Sequence, residues 1–155
     1  MTIPSTVGRV PRNTPDAFNQ KIIKQTERNI AYYAAHPEEI DARLEELDQE
    51  WDVERTLEAN AASVSLASVL LGIFVSRRFL YLPALVGGFL LQHAVEGWCP
   101  PLPVFRRMGV RTQTEIERER YALKALRGDF DHVHTAGQSD ENVTRVSQRV
   151  LEAVK

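Results

Sequence analysis

Cysteine is almost absent from this chain. Cys99 is the only one in 155 residues, so no disulfide can close within a protomer. An excess of positive charge is missing too. The formal net charge is −2, which excludes a general affinity for nucleic acid. The N-terminal MTIPSTVGRVPRNTP has no apolar core segment, so no signal peptide is read there. Nothing reads as a β-sheet. No constellation of general base, nucleophile and cofactor-binding loop stands out, so the expectation is a non-enzyme without cofactor or metal. His132 and His134 form a His-x-His pair, but such pairs are common by chance and carry no metal assignment.

Charge is also absent from two long stretches, and that absence is the most informative one. Ala59–Val75 and Phe79–Val95 contain no Lys, Arg, Asp or Glu, and Ser76, Arg77 and Arg78 separate them. Each stretch is about 17 residues, or roughly 26 Å as a helix, slightly under a bilayer core of about 30 Å. The expected fold is all-α: a two-helix transmembrane hairpin over residues 59–98, with long amphipathic helical arms before and after it. The hairpin itself must then act as the insertion signal. Two helices cannot build a substrate pathway, so a transporter is excluded.

The arms follow from local signals. Residues 1–13 are expected to be disordered. A cytoplasmic helical arm is expected over 14–58. Thr14 is its N-cap and Pro15 its first helical residue. Ile23, Thr26, Ile30 and Tyr33 line one face. His36-Pro37 breaks this helix. The next helix carries a seam of Ile40, Leu44, Leu47 and Trp51, too short for anything beyond a local antiparallel pair. No Gly or Pro follows, so it is expected to continue unbroken into the membrane. Residues 99–128 read as a proline turn and a charged helix, opened by a Thr112–Glu115 capping box and stopped at Gly128. Residues 129–155 read as a tail with one short amphipathic helix.

Within the hairpin, small residues recur four apart at Ala61/Ser65, Ser68/Gly72 and Ala84/Gly88. Such spacing permits close helix packing, within the hairpin or between two copies. Folding the hairpin about Arg77 sets Asn60 near Val95 and Glu96, and Ser63 near Gln92, as polar contacts between the helices. Trp98, Arg106 and Arg107 are candidate interfacial residues, with Tyr81 at the opposite end. Arg55, Arg106, Arg107 and Arg111 outnumber Arg77 and Arg78, which places both termini in the cytoplasm. Cys99 is the one redox candidate. Arg106 and Arg107 would favour its thiolate, but a relay needs a second thiol or a sulfur donor. His93 is six residues away, too far to pair with it unless the chain bends.

Residues 54–112 resemble the YgaP-like transmembrane-hairpin family of bacterial inner-membrane proteins. The resemblance rests on Glu54-Arg55, Glu58-Ala59-Asn60, the two apolar helices, Gly97-Trp98-Cys99-Pro100 and Met108-Gly109-Val110-Arg111-Thr112. It implies a hairpin in the bacterial inner membrane whose biochemical role is undefined. Some members fuse the hairpin to a rhodanese sulfurtransferase domain. This chain has no such α/β domain and no second cysteine after Thr112. The leading expectation is a membrane-anchored structural, interaction or accessory subunit. Its partners would be the lipid bilayer and a second copy or another membrane protein, with no nucleic acid. The alternatives are a thiol or persulfide relay through Cys99 and a soluble helical bundle that buries the hairpin.

Overall fold

The computed structural model describes residues 7–131 and Val150. Every regular element among them is helical: α1 (Arg9–Arg12), α2 (Asp16–Ala35), α3 (Ile40–Gln49), α4 (Val53–Phe74), α5 (Tyr81–Glu96), α6 (Leu102–Met108) and α7 (Gln113–Arg127). Short 3-10 turns at Pro37–Glu39 and Arg77–Leu80 precede α3 and α5. The chain divides into two compact units, Met1–Lys24 with Trp51–Thr114 and Gln25–Glu50 with Glu115–Lys155. The His132/His134 pair and, apart from Val150, the expected last helix of the tail lie outside the described residues.

The first unit contains the hairpin. Its α4 turns one stripe inward: Val53 and Leu57, then Ala61, Ser65, Ser68 and Gly72. The inward residues shrink toward the turn, so the chain can fold back tightly there. Gly72 is the last residue of that stripe. A Cβ on it would lie 2.5 Å from Cδ2 of Leu80. Gly72→Leu is therefore expected to destabilise the hairpin by about 1–3 kcal/mol through overpacking. The small residues of α5 face elsewhere. Ala84 and Gly88 are exposed, and a Cβ on Gly88 would meet nothing within 4 Å. Gly88→Leu should leave the protomer's thermal midpoint unchanged; an equal loss in both variants would contradict this packing.

The expected polar contacts between the hairpin helices do not form. Asn60 donates to the Thr56 carbonyl at 2.8 Å, Ser63 to Ala59 at 2.7 Å and Ser68 to Val64 at 2.6 Å. Gln92 donates to Glu96 Oε2 at 3.3 Å. Each of these side chains bonds one turn away on its own helix, where a partner is always in reach.

The helix expected to run unbroken into the hairpin is interrupted. Glu50 is extended (φ −66°, ψ 129°), and Asp52 caps a new helix by accepting from the Arg55 amide at 2.8 Å. The missed signal was an N-cap aspartate, which starts a helix without any Gly or Pro. Trp51 consequently leaves the α3 seam. It is exposed, with the Arg55 guanidinium 4.3 Å above its ring.

The second unit is a small amphipathic packing. Ile40, Leu44 and Leu47 of α3 meet Ile116 and Leu123 of α7, with Tyr33 against them. The charged partners show an antiparallel register. Arg127 reaches Asp41 at one end, and Arg120 reaches Asp48 and the Leu47 carbonyl at the other. Leu126, three residues past Leu123 on α7, is exposed.

Candidate functional site

The base of the hairpin carries a polar cluster. It starts from a segment expected to be disordered. Residues 9–12 instead form a helical turn with Val10 buried among Val53, Leu57, Cys99 and Leu102. One apolar residue sufficed to dock it, because its neighbours meet the exposed end of α5. Arg9 donates to the Ala94 carbonyl at 3.1 Å, and Asn13 donates to the Glu96 carbonyl at 2.8 Å. The last carbonyls of a helix lack intrahelical partners and carry partial negative charge, so a cation and an amide suit that position. Thr14, expected to cap α2, donates its hydroxyl back to the Val10 carbonyl at 2.8 Å.

Glu54 ties the pieces together from the first turn of α4. Its Oε1 accepts from Arg9 at 2.9 Å, and its Oε2 bonds His93 Nε2 at 2.9 Å. The hydrogen bond to His93, and then that to Arg9, hold the Glu54 carboxyl down to about 2, against the opposing effect of burial. A carboxylate so placed only accepts, so Nε2 of His93 carries the proton. Nδ1 of this 4%-exposed histidine has no hydrogen-bond partner. The imidazole also interacts with the Cys99 side chain, short of a hydrogen bond of ordinary geometry.

The bend that brings Cys99 back to His93 is Gly97. It sits left-handed at φ 78° past the end of α5, a conformation that costs glycine little. Pro100 and Pro101 follow, and Cys99 is 2% exposed. On its other side Cys99 forms part of the wall of a partly open cavity of about 300 Å³. That volume lies at the low end of small-molecule pockets, about 300–1,000 Å³. The rest of the wall is almost wholly apolar, with Ala61 and Val64 from α4, Phe89 and Leu90 from α5, and Phe105 from α6.

Arg106 and Arg107, expected near the thiol, separate. Arg106 is fully buried and donates to the Val110 carbonyl at 3.0 Å and to Asn19 Oδ1 at 2.9 Å, so it braces α6 against α2. It is a core residue of the first unit, not an interfacial one. Arg107 is exposed, and Trp98 is 36% exposed. No group of three or more His, Cys, Asp or Glu with metal-binding geometry occurs among the described residues.

Arg9 and Asn13 gave no signal in the sequence, because a docked turn of four residues has no periodicity to read. Glu54 entered only through the family resemblance. Its partnership with His93 crosses the hairpin, and the register assumed from the turn placed neither residue opposite the other.

The depressed Glu54 carboxyl makes a pH prediction. A folded-state pKa below the ordinary 4.5 gives a contribution that is complete above about pH 4.5 and lost as pH falls toward 2. The thermal midpoint of Glu54→Gln should fall below the parent's at pH 7. The two should converge near pH 2. A constant gap across that range would mean the ion pair is not the source.

No family model, curated protein or solved structure matches the chain.

Proposed function

We propose that this chain is a membrane-anchored helical hairpin of the bacterial inner membrane, acting as a structural or accessory subunit with both termini in the cytoplasm. One observation carries the reading. Residues 37–74 and 77–96 hold two segments long and apolar enough to cross a bilayer, and only 17% and 6% of those apolar windows are buried. Within the first segment the apolar part belongs to α4, beyond the break at Glu50. Leu66, Ile73, Phe74, Val75, Tyr81 and Leu91 are all exposed. Water does not tolerate a continuous apolar surface of that extent on a monomer, whereas lipid does. The same observation disfavours the soluble bundle, which requires these side chains to be covered. The YgaP-like resemblance over residues 54–112 points the same way.

The experiment is fractionation followed by topology mapping. The full chain should stay with membranes through a carbonate wash. Reporters fused at residues 1 and 155 should both read as cytoplasmic, with a cysteine placed at Arg77 labelled from the opposite side. Recovery in the soluble fraction without detergent would remove the anchor. Labelling of the Arg77 site from the cytoplasm would remove the topology alone.

A further inference from the structure

The tip of the hairpin carries positive charge that nothing nearby in the chain answers. Arg77 and Arg78 are adjacent and exposed in the turn between α4 and α5. Neither guanidinium forms an ion pair or a hydrogen bond among the described residues. The turn is tight. Leu80 lies against Gly72, and Ser76 Oγ accepts from the Arg78 amide at 3.5 Å, so both cations stay together at one end of the hairpin. No Asp or Glu occurs between Glu58 and Glu96. From Glu58 to Phe74, α4 runs roughly 24 Å, and α5 takes about as long to reach Glu96. An ion pair needs its charged atoms within about 4 Å. Around the two arginines the surface is apolar: Phe74, Val75, Phe79 and Tyr81 are all exposed.

We propose that Arg77 and Arg78 form a headgroup clamp: the tip binds a phospholipid of net negative charge through its phosphodiester group, in the leaflet that the tip reaches. This rests on the membrane-hairpin reading above and adds the class of lipid. Hairpin length sets the depth. Each charge-free stretch spans roughly 26 Å, slightly under a bilayer core of about 30 Å. The tip therefore comes to rest just inside the phosphate level, and a long arginine side chain extends the remaining distance. A guanidinium left in hydrocarbon without an acceptor would be costly. A phosphodiester offers two acceptor oxygens that match the guanidinium fork.

Charge selects among lipids that all carry phosphate. A zwitterionic headgroup brings its own cation and leaves the charge of the arginine pair unneutralised. An anionic headgroup neutralises it, and the chain supplies no acid to compete. The apolar collar suits the same partner. Phe74 and Val75 fit the upper acyl chains, and Tyr81 fits the interface, with an apolar ring and a polar hydroxyl.

The test uses isotope-labelled full-length protein in dodecylmaltoside micelles, which contain no phosphate and hold the hairpin whether or not it crosses a bilayer. The probes are dihexanoyl-phosphatidylglycerol, dihexanoyl-phosphatidylcholine and free glycerol phosphate. The readout is the arginine Nε–Hε and backbone amide resonances. Phosphatidylglycerol should shift Arg77, Arg78 and Phe79 to saturation, and phosphatidylcholine should bind at least about tenfold more weakly. Glycerol phosphate should leave the three residues in place. Arg77→Gln and Arg78→Gln should each weaken binding roughly fivefold, and the double variant roughly thirtyfold. Arg107→Gln removes an exposed arginine outside the tip and should keep the parent affinity. Equal affinity for the two lipids would overturn the proposal, as would parent affinity in the double variant. An equal loss in Arg107→Gln and Arg78→Gln would overturn it by reading net charge alone. Saturation by glycerol phosphate would overturn it in favour of a soluble phosphate ligand. A chain that is soluble without detergent removes the anchor and this clamp together, whereas a membrane-held chain whose tip ignores phosphatidylglycerol removes the clamp alone.

Discussion

Replacing Arg43 with methionine should destabilise the α3–α7 unit by about 3 kcal/mol, the low end of the cost of breaking a buried ion pair. Glu119 is completely buried, and Arg43 Nε donates to its Oε1 at 2.9 Å. Asn29 donates to the same oxygen at 3.0 Å. Removing the guanidinium takes a cation away from Oε1 of a fully buried carboxylate, while the Asn29 amide on the same oxygen keeps the loss from being larger. The same substitution also loses Glu46, but that carboxylate is largely exposed and its share is small. Hydrogen exchange of the α3 and α7 amides is the suitable measurement, because it reads this unit within the whole chain. Exchange through opening should accelerate roughly a hundredfold. The double variant Arg43→Met, Glu119→Leu should recover most of the loss, since two apolar side chains need no charge partner. A single variant that exchanges at the parent rate would show that the pair is not carrying buried charge.

The apolar seams of this unit were legible in the sequence, and the reason is periodicity; the partner of the α3 seam is the distant α7, not the local helix expected. Ile40, Leu44 and Leu47 repeat at helical spacing in a polar background, as do Ile116 and Leu123, and all five are buried. The hairpin was equally legible, from the absence of charge over 59–75 and 79–95. Single positions were harder to place. Trp51 fits the heptad by spacing, yet Asp52 starts a new helix and takes it out of the seam. Ser63 and Gln92 were expected to meet, yet each bonds within its own helix. A side chain that can satisfy itself locally gives no information on its distant neighbours. Glu119 and Arg106 were invisible as core residues because burial of a charge depends on partners far away in the chain. The candidate site was the least legible part. It depends on a nonperiodic N-terminal turn, a hairpin register and one bend.

That bend makes the sharpest single-residue test. Gly97→Ala should destabilise the first unit by about 2–4 kcal/mol, from two costs that act together. The backbone is left-handed there, at φ 78°, and a Cβ would lie 2.6 Å from Cβ and 2.7 Å from the carbonyl carbon of Arg9. Backbone atoms cannot move aside as a flexible side chain can, so the N-terminal turn must lift away. Two other glycines separate the contributions. Gly109 is left-handed at φ 94° with nothing within 4 Å, so Gly109→Ala carries the backbone cost alone, about 1 kcal/mol. Gly88 lies within α5 with open space around it, so Gly88→Ala should be neutral or stabilising by up to about 1 kcal/mol. Thermal midpoints should therefore fall in the order Gly88→Ala, Gly109→Ala, Gly97→Ala. The second readout is the thiol. Cys99 is 2% exposed and shares its core with Val10, one residue from Arg9. Lifting that turn uncovers the thiol, and maleimide should then label Cys99 faster in Gly97→Ala than in Gly109→Ala. Equal midpoints and equal labelling in those two variants would mean that Arg9 does not rest on Gly97, and the docked N-terminal turn would have to be given up along with the Arg9–Glu54–His93 chain that depends on it.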